Sequence, residues 1–191
     1  MMATASNVIL LMLVSLSAAF DAKERRIPNK ITFMGIVVGL LFNVLTGGWS
    51  GLLNSFLGLL AGIAIFFIPF AVGGMGAGDV KLMGAIGALM GWRFSLETAI
   101  YSALVGGVMV LIYLIYTRKL RDTISGMLLA LVQVLNRIIQ KKGYNEKLMR
   151  AEHKFYKNGK EYKKIYIPYG VAIAGGTILV LLAYRQGIQF F

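Results

Sequence analysis

Residues 73–92 read GGMGAGDVKLMGAIGALMGW. Four glycines in six residues lead into an aspartate, Asp79, and a short apolar run follows to Trp92. From Asp79 to Trp92 is about 21 Å of helix at 1.5 Å per residue, against a bilayer hydrocarbon core about 30 Å thick. If Trp92 and Arg93 mark one interface, Asp79 stops roughly 9 Å short of the other edge of that core. A carboxylate at such depth is costly unless it faces a water-filled cavity or a partner, which makes it a functional candidate. Non-helical backbone before it is tolerated there only where it lines a cavity or is buried in protein. Gly76 and Gly78 are expected to take backbone angles that other residues resist and to leave room for an approaching peptide backbone. The loop is no phosphate cradle. It contains no G-x-x-x-x-G-K-[ST], and Asp79 and Lys81 stand where a dinucleotide loop would need its third glycine.

The rest of the chain agrees with a membrane setting. Of 191 residues, 58% are apolar and only 15% charged, against roughly 25% charged in a typical soluble domain. A soluble sphere of this size cannot bury so much apolar surface, and a disordered chain would not carry it. The expected fold class is an all-α integral membrane protein, a single membrane-embedded domain over 1–191. Six apolar segments are long enough, or nearly so, to be transmembrane helices: 2–20, 31–46, 51–72, 80–92, 94–116 and 167–184. Between the fifth and sixth lies a polar, basic insertion, 117–166. Within it, residues 122–139 have helical apolar spacing and read as an amphipathic interfacial helix. Asn158-Gly159, flanked by aromatics, reads as the turn of a short β-hairpin.

With six crossings, eighteen of the twenty lysines and arginines fall on one side, and only Arg93 and Arg185 on the other. The basic side is then cytoplasmic and both termini lie outside. One crossing more or fewer would scatter these charges. The net charge of +12 is thereby a consequence of topology; no nucleic-acid partner is expected, membrane lipid is, and attraction of anionic lipid is a supplementary role open to the same charges. Ser17-Ala18-Ala19 looks like a signal-peptide cleavage site, but no positive charge precedes the apolar run, so the first segment is expected to stay as an anchor. Glycine pairs at four-residue spacing, Gly35/Gly39, Gly58/Gly62 and Gly87/Gly91, are expected to let helices approach closely. Trp49 and Trp92 are expected at the outer interface.

Chemistry is narrowed by what is missing. The chain has no cysteine and one histidine, His153, which excludes thiol catalysis, thiolate metal sites and a multi-histidine centre. His153 reads as surface. No metal and no cofactor are expected. Of eight acidic residues, Glu24, Asp122, Glu146, Glu152 and Glu161 lie in basic cytoplasmic segments as solvated charge, and Glu97 is expected near the outer headgroups. Asp21, at the end of the first segment, and Asp79, at the start of the fourth, remain. Six crossings bring both to the cytoplasmic side. Two carboxylates meeting in a partly dry cavity share a proton and titrate in coupled steps. One can then activate water while the other polarises a scissile carbonyl. Spacing alone is met equally well by two unrelated acids at helix ends, one of them an N-cap.

Gly76-Ala-Gly-Asp79-Val-Lys-Leu resembles the G-x-G-D motif of intramembrane aspartic proteases, in the G-x-G-D-x-K-L form of type IV prepilin peptidases. Asp21-Ala-Lys-Glu-Arg-Arg-Ile-Pro-Asn29 resembles that family's other aspartate motif, and Ile167-Pro-Tyr-Gly170 the opening of its last span. Three motifs in the family's order span nearly the whole chain, which a lone G-x-G-D would not do. The resemblance implies an aspartic endopeptidase that removes the short basic leader of prepilins or pseudopilins at the cytoplasmic face of a prokaryotic inner membrane. It implies Asp21 and Asp79 as the catalytic pair, Gly76 and Gly78 as shaping the active-site loop, and Lys81 as a supporting charge. The N-terminal cytoplasmic domain of long family members, with its paired cysteines, has no counterpart in the sequence. The chain therefore resembles the short Tad/Cpa-type peptidases of Flp-like pilins, and methylation of the trimmed pilin is not expected. Other readings of the same acids are a small proton- or cation-coupled transporter and a non-catalytic assembly subunit. The sequence contains no convincing inverted repeat, and oligomeric state is not legible from it.

Overall fold

The computed structural model describes residues 2–118 and 168–188, and every regular element among them is an α-helix: α1 (Met2–Glu24), α2 (Asn29–Ala71), α3 (Ala77–Met90), α4 (Trp92–Tyr116) and α5 (Tyr169–Arg185). The amphipathic helix expected over 122–139 and the hairpin around 158–159 fall outside the described residues. Contacts divide the chain into two compact units, Met1–Met109 with Ile167–Phe191, and Val110–Tyr166. All packing described below lies within the first.

Three helices, α1 from Ala5, α2 and α4, are long and apolar enough to cross a membrane. Large apolar side chains such as Phe33, Leu45, Ile68 and Leu104 are more than half exposed on their outer faces. In water that surface would drive aggregation; in lipid it is solvated. The protein is an integral membrane protein.

The break expected between 46 and 51 is present within α2. Gly48 takes φ 58° and ψ −138°, a conformation that glycine adopts without steric cost, and helical geometry resumes at once. Gly51 then lies directly against the carbonyl of Asn43. The helix is thus a hairpin of two arms, 29–47 and 49–71, with Trp49 largely exposed beside the turn.

Helix α3 fills the groove between these arms, and its small residues make that possible. It runs parallel to the first arm: a Cβ added at Gly35 would meet Ala85, and one at Gly39 the backbone of Ala88 and Leu89 at 2.8 Å. Against the second arm it is antiparallel, with Gly62 on Met83 and the backbones of Gly58 and Gly87 in mutual contact. The far end of α3 is capped from both arms. Asn43 Nδ2 donates to the carbonyls of Ala88 and Leu89 at 3.1 and 3.0 Å, and Ser55 Oγ donates to Ala88. Carbonyls of a last helical turn have no intrahelical partner, so side chains from α2 supply the donors. Apolar and small residues from Val80 to Leu89 are buried nearly without exception.

Helix α1 presents Leu10, Val14, Ser17 and Asp21 as one buried stripe at helical spacing. It packs against α5, α2 and α3, and α5 also touches α3.

Candidate active site

Asp21 lies in the last turn of α1. The helix stops because Arg25 adopts a left-handed φ of 54° and its N–H returns to the Asp21 carbonyl at 2.9 Å, the common way to close a helix C-terminus. Pro28 then caps α2 in extended geometry. Between them Ile27 is buried, and a Cβ on Gly78 would lie 3.1 Å from its Cβ. The missing side chain at Gly78 leaves room for the α1–α2 link to settle closely on the first turn of α3. That contact brings Asp21 within electrostatic range of Asp79.

The two carboxylates are held by main-chain donors from two different helix starts. Asp79 is the third residue of α3, and its Oδ2 accepts the Gly76 N–H at 3.2 Å. Asp21 Oδ2 accepts the Gly170 N–H at 2.7 Å. Gly170 is in the first turn of α5, where backbone N–H groups are otherwise unpaired and the helix dipole favours negative charge. A Cβ on Gly170 would come within 2.9 Å of that same oxygen. Next to it, Tyr169 lies within electrostatic range of Asp79. Its ring meets Phe66 edge-on at 5.9 Å, and its hydroxyl donates to the Ser102 carbonyl at 3.4 Å. Three helix ends, those of α1, α3 and α5, therefore meet around two acids separated by 58 positions in the chain.

The expectations divide at this point. The structure places Asp21 and Asp79 within electrostatic range of each other, both closely packed, with exposures of 3% and 7%. Asp79 also serves its helix by accepting from the N-cap, so capping and pairing are both present. The glycines act differently from what was expected. Gly76 has an ordinary φ of −81° and contributes its N–H, while Gly78 is helical and contributes its lack of a side chain. In that loop the left-handed residue is Gly73, φ 78°. Lys81 is exposed and turned to the first residue of α2, donating from Nζ to Asn29 Oδ1 at 2.9 Å. It ties α2 to α3 at the edge of the site. Glu97 is buried within the protein, 1% exposed, and interacts with the Tyr184 hydroxyl. Helix α4 starts at Trp92, so Glu97 lies more than a turn inside, where the end of α5 covers it. Among the described residues, no three His, Cys, Asp or Glu side chains gather as a metal site.

In sequence, Tyr169 and Gly170 read only as the opening of a span. The signal that pointed further was a proline-led helix start on the same side as both aspartates.

A sequence model of the type IV leader peptidase family matches residues 8–111, more than half of the chain and inclusive of both aspartates. Among curated relatives, a prepilin leader peptidase/N-methyltransferase of Pectobacterium carotovorum subsp. carotovorum is 32% identical over 119 residues, 59% of this chain and 42% of the relative. Proteins of the same description from Aeromonas hydrophila (34% over 96 residues; 47% of this chain, 33% of the relative) and Klebsiella pneumoniae (31% over 104 residues; 51% and 45%) are also similar. The chain spans less than half the length of these relatives. No solved structure matches it.

Proposed function

The chain belongs to the type IV leader peptidase family, and from that premise we propose that it is an aspartic endopeptidase of the inner membrane that cuts the short basic leader from prepilins or pseudopilins. The observation that carries the proposal is that Asp21 and Asp79, both buried, lie within electrostatic range of each other where α1, α3 and α5 converge. Like carboxylates in a poorly hydrated site hold one proton between them. The ionised member takes a proton from water, whose oxygen adds to the scissile carbonyl carbon. The protonated member donates to the carbonyl oxygen. Collapse breaks the C–N bond and delivers a proton to the leaving amine. Gly76 and Gly170 fix one oxygen of each carboxylate, so little reorientation is needed as charge moves.

The wider reading is a six-crossing protein with both termini outside and the aspartates facing the cytoplasm. The α2 hairpin supports it, as does the grouping of Asp21, Asp79 and Gly170 at one end of the bundle, with the Gly48 turn, Gly91 and Tyr184 belonging to the other. A basic leader retained in the cytoplasm would reach the pair from that side. The reading confines the chemistry to peptide hydrolysis, without methyl transfer.

The test is co-expression with a prepilin carrying a basic leader. Asp21→Asn and Asp79→Asn should each abolish cleavage while the variants insert and unfold as the parent does. Cleavage retained in both variants would end the proposal. The mass of the product reports the cut position and any added methyl group together, and the leader-free mass alone is expected.

A further inference from the structure

Helix α5 begins with three residues that act differently. Pro168 stands at the N-cap with φ −68° and ψ 92°, and its carbonyl accepts the Val171 N–H at 3.3 Å. A proline fixes its own backbone angle but not where in the bundle the helix lies. Gly170 presents its N–H to Asp21 Oδ2 at 2.7 Å. Between them, Tyr169 is half-buried and sends its ring away from α5 into its neighbours. A Cβ added at Gly106 of α4 would lie 2.7 Å from Tyr169 Cε2 and 3.3 Å from Cζ. The ring therefore occupies the space that a side chain at position 106 would take. Phe66 of α2, itself buried, meets that ring edge-on at 5.9 Å. The hydroxyl reaches the Ser102 carbonyl at 3.4 Å, long for an O–H···O bond, so the seating is carried by the ring.

Further along the contact with α4, α5 presents glycines, Gly175 to Val105 and Gly176 to Ser102. These permit close approach but insert no side chain into the neighbour. The far end of α5 borders a cavity of about 420 Å³ bounded in part by Asn54, Phe94 and Tyr184. The first N–H groups of a helix have no partner within it, so the first turn of α5 takes its place from what its side chains meet. We infer that Tyr169 is a positioning residue: its ring, seated in the notch at Gly106, holds that turn so that the Gly170 N–H stays on Asp21. The seating stands on these contacts alone, and its consequence for cleavage rests on the peptidase reading.

Gly106 and Gly107 are adjacent on α4, but a Cβ at Gly107 would meet nothing within 4 Å. Alanine raises helix propensity alike at both positions, so the difference between the two variants isolates the notch. The full chain in phospholipid vesicles is given a prepilin with a basic leader. Gly106→Ala should lower kcat about tenfold with KM near the parental value, and Gly107→Ala should change neither. Tyr169→Ala should lower kcat roughly a hundredfold, as a displacement near 1 Å does at a reacting group. Tyr169→Phe keeps the ring and should stay within about threefold of the parent. In a Tyr169→Ala chain, Gly106→Ala should cost nothing further, because the ring it displaces is gone. Equal losses from Gly106→Ala in both backgrounds overturn the inference. So does Tyr169→Phe as impaired as Tyr169→Ala, which would give the role to the hydroxyl.

A second readout needs no cleavage. The chain has no cysteine, so Asp21→Cys with Gly170→Cys introduces its only thiols, on Cβ positions 3.0 Å apart and close to disulfide spacing. Under copper–phenanthroline oxidation, adding Tyr169→Ala should slow closure about tenfold and adding Tyr169→Phe should not. Equal rates with and without the ring overturn the seating. This chain lacks Asp21 and cannot cleave by the proposed pair, so failure of the peptidase reading and failure of this inference are distinguishable.

Discussion

Gly170 occupies a position where a backbone N–H is needed and a side chain is not. Its N–H holds Asp21 Oδ2 at 2.7 Å, and an added Cβ would stand 2.9 Å from that oxygen and 3.0 Å from the Asp21 Cβ. Alanine keeps the donor and removes the room, and the carboxylate must turn or α5 must retreat. Gly170→Ala is therefore expected to insert and melt nearly as the parent does while kcat for prepilin falls. The fall should be roughly a hundredfold, the size associated with a displacement near 1 Å at a reacting group. The same variant with parental kcat would mean that this contact does not position the acid. Lys81 offers a contrast at the same scale. It touches Asn29 and neither aspartate's carboxylate is among its hydrogen-bond partners, so its role is to hold α2 on α3, and replacing it should cost less than replacing Gly170.

Helix α3 is too short to be anchored by its own length and is fixed instead by what its two neighbours lend it. Asn43 closes the Ala88 and Leu89 carbonyls, and Asn43→Ala leaves buried acceptors short of donors, a loss of about 1–3 kcal/mol. Gly87 meets the backbone of Gly58, which cannot yield as a side chain would; Gly87→Ala should cost about 1–3 kcal/mol by overpacking. Both are read as lowered thermal unfolding in detergent, and parental melting in both would deny that α3 is set by these contacts. Much of this element was legible in sequence, because the glycine spacing and the short apolar run are local signals with a local cause. The boundary was less so. The helix begins at Ala77, not Val80, because Gly76 supplies an N-cap without a side chain to advertise it. The partners of the polar residues were not legible at all. Glu97 finds Tyr184, and Asp21 finds the Gly170 N–H, across 87 and 149 positions. Periodicity reports which way a residue faces but not what it meets.

Across the whole molecule, two independent asymmetries coincide. One is electrostatic: among the described residues of the first unit, Lys23, Arg25, Arg26, Lys30 and Lys81 lie at the end that carries Asp21 and Asp79, and Arg93 and Arg185 at the opposite end. The other is geometric: Asp21, Asp79 and Gly170 meet at that end, whereas the Gly48 turn, the Asn43 and Ser55 caps and the Tyr184 cavity belong to the opposite one. Charge bias sets the direction of insertion, and the packing follows from residues that are mostly uncharged, so agreement between them is not built in. It makes a prediction about sidedness. Ser50 is exposed beside the α2 turn and Lys23 beside Asp21. In intact cells a membrane-impermeant maleimide should label Ser50→Cys, and Lys23→Cys only after permeabilisation. The reverse pattern would put the aspartates on the outer face, away from any leader held in the cytoplasm, and a peptidase acting on such leaders could not then be built from this pair.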